Sequence, residues 1–150
     1  MTRFPISEVD VKTLIIGIVL MCCAGCAVSI QHGLTNDFPR APDTSNGPNL
    51  IVIRESQFVG GAILMQLLLD STTVAGIASG EYVRLYLAPG QHIISARIHS
   101  GRTGYLPIKM PSTGKKFYEL SMNLSGELNF LEINSEQAKN LMDGKKEISQ

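Results

Sequence analysis

Residues Tyr82–His99 read YVRLYLAPGQHIISARIH, two alternating apolar stretches divided by Pro89-Gly90. A period of two puts successive side chains on opposite faces of a strand, so Val83, Leu85 and Leu87 look one way and Tyr82, Arg84 and Tyr86 the other. Past the turn, His92, Ile94, Ala96 and Ile98 would face inward, leaving Gln91, Ser95, Arg97 and His99 outside. One buried face per sheet follows, as in antiparallel sheets with one side in water.

The same texture extends in both directions from this stretch. Short β-rich runs at 50–55, 62–70, 73–77, 82–88, 91–99, 105–110, 116–124 and 128–133 are separated by Ser79-Gly80, Pro89-Gly90, Ser100-Gly101, Ser112-Thr113-Gly114 and Ser125-Gly126. Glycine in each break tolerates positive φ, and most breaks are short enough for hairpins. Tyr118, Leu120, Met122 and Leu124 are expected inside, opposite Phe117, Glu119, Ser121 and Asn123. Ala62–Leu69 is apolar on both faces apart from Gln66, which suits a central strand or one lying beneath another element. The expected fold is therefore mainly β, a single small antiparallel β-sandwich over 49–150. A short helix closes it: Asn134 can cap, Gln137 sits at the capping-box position, and Ala138, Leu141 and Met142 form an apolar stripe ending at Gly144.

Upstream, residues 27–48 carry Pro39, Pro42 and Pro48 among polar residues with no apolar period, the composition of a tether. Before it, Thr13–Ile30 contains no charged residue and follows Lys12, as a membrane-entering segment does. Cys23-Ala24-Gly25-Cys26 resembles the lipobox of bacterial lipoproteins, with Cys23 where an aliphatic residue is usual. The resemblance implies a signal peptide over 1–25, cleavage before Cys26, and a lipidated N-terminus and flexible tether over 26–48. Membrane lipid on Cys26 is then the first partner, and Ala27 favours the outer membrane, facing the periplasm, in a host with two membranes. The alternative is an uncleaved signal anchor in the inner membrane, since 18 uncharged residues approach the length needed to span.

Arg54, Gly60-Gly61, Asp70, Val74, Gly76, Ser79-Gly80-Glu81-Tyr82 and Pro89-Gly90-Gln91-His92 together resemble DUF2846, a family of uncharacterised bacterial lipoproteins. Pro-Gly-x-His after an alternating strand also resembles the PEGA-type surface modules. Both imply a small sandwich with a prealbumin-like or immunoglobulin-like look. Related proteins often have an Asp-Gly turn where this chain has Asp70-Ser71-Thr72. No catalytic residue carries over from either family.

Composition narrows the chemistry. Lys and Arg total 13 against 13 Asp and Glu, and removing residues 1–25 takes away two of each sign, so there is no basic stripe for nucleic acid. Of three cysteines, two would leave with the signal, which excludes zinc and disulfide frameworks. His32, His92 and His99 do not cluster, and His92 is expected to be half-buried beside the Pro-Gly turn. Glu119, Glu127 and Glu132 would make an acid–base pair only if two of them met across a cleft. No cofactor or metal site and no enzyme is expected. The candidate interaction surface is Tyr82, Arg84 and Tyr86 in one row, with Arg97 and His99 on the next strand, offered to an envelope protein or a glycan.

Overall fold

The computed structural model describes residues 32–35, 49–58 and 60–148. The signal segment, Cys26 and most of the tether lie outside the described residues. The chain folds as a mainly β sandwich of two five-stranded sheets.

The first sheet has the order β1-β4-β3-β6-β7, built from β1 (Gly33–Leu34), β3 (Met65–Leu69), β4 (Thr72–Ile77), β6 (Gly90–Arg97) and β7 (Thr103–Met110). The second has the order β10-β5-β2-β8-β9, from β2 (Leu50–Arg54), β5 (Glu81–Leu85), β8 (Lys116–Met122), β9 (Leu128–Ile133) and β10 (Lys146–Glu147). The inward sets read from the alternation are the core: Val83, Leu85, Leu87, Ile94, Ala96, Ile98, Tyr118, Leu120 and Met122 are all buried, with Leu50, Val52, Met65, Leu67 and Ile77 filling the space between the sheets. Each such aliphatic side chain contributes about 1.5–3 kcal/mol when fully buried. β3 occupies the centre of its sheet, as its two-faced apolarity requires.

Helix α1 (Ser135–Met142) lies on the outer face of the second sheet and makes a third layer there. Its capping box is complete, with the Asn134 side chain accepting from the Gln137 N–H and the Gln137 side chain accepting from the Asn134 N–H. Ala138 is fully buried against Ile51, Ile53 and Ile133, and Leu141 and Met142 pack beside it.

Four expectations are corrected. The sheets are not purely antiparallel: β2 runs parallel to β8 and β10 parallel to β5, because neither pair is joined by a hairpin and so neither is forced to reverse. The Leu87-Ala88-Pro89 link is not a hairpin but a crossover from one sheet to the other, held by Asn49, whose side-chain amide pairs with both the N–H and the C=O of Leu87 at 2.8 Å. Leu124 is not inside. β8 stops at Met122, and the Asn123 side chain closes the next turn by accepting from the Glu127 N–H, which lifts Leu124 to the tip at 88% exposure. The tether is not featureless, because β1 pairs Gly33 with Gly76 and Leu34 with Ala75.

The sandwich is closed laterally on both sides. β1 and β10, two residues each, cover the edges of β4 and β5. On the opposite side, Gly104 of β7 comes against the Leu128 backbone of β9 so closely that any Cβ there would collide with the Leu128 carbonyl.

Candidate functional site

The row read from the sequence divides when folded. Tyr82 and Arg84 stand on the outer face of the second sheet, with Arg84 over the Tyr82 ring at 5.5 Å from its centroid. Glu147 of β10 ties both: it accepts a 2.9 Å hydrogen bond from the Tyr82 hydroxyl and lies 3.7 Å from the Arg84 guanidinium. Burial, and after it the Glu147 carboxylate, raises the Tyr82 hydroxyl above its ordinary pKa. The Tyr82 ring also packs on the cluster under α1, so much of this face serves to seat the helix.

Tyr86 lies beyond the end of β5, in a small recess of about 170 Å³ shared with Asn49, Pro89, Ser112 and Lys115. Arg97 does not join either tyrosine. Because the 87–89 link crosses between sheets, β6 is no neighbour of β5, and Arg97 sits on the outer face of the other sheet, donating twice to Gln66 Oε1 at 3.0 and 2.7 Å. The four-residue surface expected from sequence is thus three separate places.

The histidines remain apart. His92 is half-buried, as expected beside the Pro-Gly turn, with Nδ1 2.7 Å from Asp70 Oδ2 and Nε2 2.9 Å from the Ala88 carbonyl. Both ring nitrogens thus lie within hydrogen-bond distance of an oxygen. The His92 hydrogen bond is the main cause that holds the Asp70 carboxyl below its usual range. Asp70 Oδ1 also accepts from the Ile93 N–H, so this group braces a hairpin. The hairpin itself is Asp70-Ser71, both residues at positive φ (47° and 72°), the geometry that Asp-Gly would otherwise supply. The three carboxylates named above do not meet across a cleft: Glu119 is on the outer face of β8, Glu127 is held by Asn123 in a turn, and Glu132 pairs with Lys116 at 2.7 Å. Burial and then the Glu55 charge raise Glu119, while Lys116 lowers Glu132.

The end of the sandwich formed by loops 55–64, 78–80, 98–102 and 123–127 holds what the sequence reading missed. Arg54 is 3% exposed, and its guanidinium donates to the carbonyls of Ile63 (2.6 Å), Ile77 (2.7 Å) and Gly60 (2.7 Å). Burial lowers its pKa to about 10, with nearby Glu81 opposing the shift. Glu81 is also buried. Burial opposes its charge, but the Ala78 N–H and His32 outweigh that and hold the carboxyl below its ordinary range; His32 Nε2 lies 2.8 Å from Oε2. Over this polar base, Phe58 is fully exposed and Leu124 nearly so, on either side of a recess of about 740 Å³ floored by Met122 and edged by Glu55 and Gln57.

Among the described residues no group of three or more His, Cys, Asp or Glu is arranged to hold a metal, and no helix is long and apolar enough to cross a membrane. The fold and these surfaces define a small β-sandwich with a helix on one face. Comparison with family models, with curated proteins and with solved structures yields no match for this chain.

Proposed function

We propose that this chain is a bacterial envelope lipoprotein, anchored by lipid on Cys26 after loss of residues 1–25, whose sandwich is a non-catalytic interaction or structural module. The observation that carries the reading is Cys23-Ala24-Gly25-Cys26 at the end of an uncharged run that begins at Thr13. The DUF2846 resemblance and a periplasm-facing outer-membrane address belong to the same proposal. Burying acyl chain contributes about 0.8 kcal/mol per CH₂, so several chains on one residue would hold the protein durably. Its described surfaces suit contact more than reaction, since the perturbed groups brace loops and strands rather than converge on a cavity. Intact mass of the membrane-extracted protein tests this. A chain that begins at Cys26 with added acyl mass, lost in Cys26→Ser, is the expected result; an unmodified chain retaining residues 1–25 would overturn it in favour of a signal anchor.

A second reading, a binder of cell-wall glycan or another small ligand, is favoured by the Tyr86 recess, where an aromatic ring adjoins Asn49, Ser112 and Lys115. Titration with soluble glycan fragments, followed by NMR, would move the resonances of these residues if it holds. Unmoved resonances would remove it.

A further inference from the structure

We propose that the loop end bearing Phe58 and Leu124 is a lipid-contacting surface, the two side chains entering the headgroup layer of the membrane that anchors the chain. The inference rests on the anchored reading above and adds which end of the domain faces the bilayer.

Phe58 and Leu124 are the two most exposed large apolar side chains among the described residues, at 104% and 88%, and they occupy neighbouring loop tips at one end. The other exposed apolar groups, such as Ile93, Tyr105 and Leu131, are spread over strand faces. Each tip has a cation beside it. Lys145 Nζ donates to Ser56 Oγ at 3.0 Å, two residues before Phe58, and the Arg102 guanidinium donates to the carbonyl of Ser125, the residue after Leu124. Two carboxylates, Glu55 and Glu127, also stand at the bases of these loops, hydrogen-bonded by the side-chain amides of Gln57 and Asn123. An apolar tip with its charged groups set back at the base suits the interface, where carbon reaches the acyl boundary and the cations can meet anionic phosphates in the hydrated headgroup layer.

The course of the chain selects lipid over a protein partner. His32 is clasped by Glu81 at this same end, and β1 then runs away from it along β4. Cys26 is six residues before His32. At roughly 3.3–3.6 Å per fully extended residue the intervening chain spans at most about 22 Å, less than the run of roughly 25 Å along an eight-residue strand such as β6. A lipid on Cys26 therefore keeps this end, and not the opposite one, near the headgroups.

The chain has no tryptophan, so single tryptophans can report depth. The full chain, extracted from membranes, would be reconstituted into phosphatidylcholine and phosphatidylglycerol vesicles with or without brominated acyl chains, as Phe58→Trp, Leu124→Trp and, at the far end, Ile93→Trp. Bromination is expected to remove most of the emission at positions 58 and 124 and little at 93. Equal, weak quenching at all three would overturn the proposal, as would emission at 58 and 124 that follows protein density instead of bromination, which would indicate contact between copies. Intact mass of the same preparation separates the two readings. Acylated Cys26 without quenching removes the lipid-contacting end and keeps the anchor; quenching without acylation does the reverse.

Discussion

The two ends of the sandwich solve the same problem, how to finish strands, in opposite ways. At the Asp70-Ser71 end the turn after β3 and the crossover after β5 are tied by side chains that stand in for a ladder: Asn49 on Leu87, Asp70 on Ile93, His92 between Asp70 and Ala88. At the Phe58 end the buried Arg54 gathers three carbonyls from beneath, Asn123 and Lys145 hold the loop stems, and the tips at Phe58 and Leu124 are apolar. The difference teaches that hydrogen bonding and exposure are separable in a loop. One end ties its turns from the surface; the other is held from below and along its loop stems, and so shows carbon at its tips.

Five variants test this contrast, from the largest effect to the smallest. Arg54→Met should lower unfolding free energy by about 3 kcal/mol, because the buried Ile77 carbonyl and the part-buried carbonyls of Ile63 and Gly60 lose their donor, and an unsatisfied buried group costs about 1–3 kcal/mol. The urea midpoint measures it, and a shift near zero would mean that the apolar tips do not depend on the base beneath them. Asp70→Ala should cost about 1–2 kcal/mol through loss of the Ile93 and His92 bonds. Because the Asp70 carboxyl is held below its ordinary 3.8, its contribution is complete above that value and disappears as pH falls through the depressed one. Asp70→Asn should accordingly flatten the acid side of the stability profile and leave neutral pH less affected. Ser71→Gly should raise stability by about 0.4–1 kcal/mol, since a serine at φ 72° pays a steric cost that glycine does not. Phe58→Ser with Leu124→Ser should change stability by less than about 0.5 kcal/mol, as fully exposed positions do. A larger loss in thermal unfolding would show that these side chains pack within the domain.

Much of the fold was legible because burial imposes a period of two. The sets 83/85/87, 94/96/98 and 118/120/122 fall inside as read, and Asn134 with Gln137 marks the helix start. The failures have physical causes. Pro89-Gly90 has the chemistry of a hairpin turn, yet the link at 87–89 carries the chain between sheets, and nothing local distinguishes a turn from a crossover; Arg97 was misplaced beside Tyr82 for that reason. Leu124 continues an apolar alternation whose end is set by Asn123, a side-chain bond that no period reports. Arg54 stands at the end of an apolar strand, where a charge ordinarily signals solvent. Its buried role depends on carbonyls 6, 9 and 23 residues away, beyond the reach of spacing. Of the candidate surface, Tyr82 and Arg84 were paired correctly and the remainder was not, because side-by-side placement of strands is a property of topology and not of alternation.

The short strand at Lys146–Glu147 also sets an order of events. It covers the β5 edge, with the Ile148 N–H bonded to the Tyr82 carbonyl at 2.8 Å and the Ile148 side chain buried in the core. Among the described residues all other strands precede it in the chain. A polypeptide delivered from its N-terminus can therefore assemble both sheets while the β5 ladder is still bare, a template on which a neighbouring chain could add a strand. Sealing waits for residues 146–148, so a product truncated before them would carry the whole sandwich and yet be the form most prone to join its neighbours edge to edge.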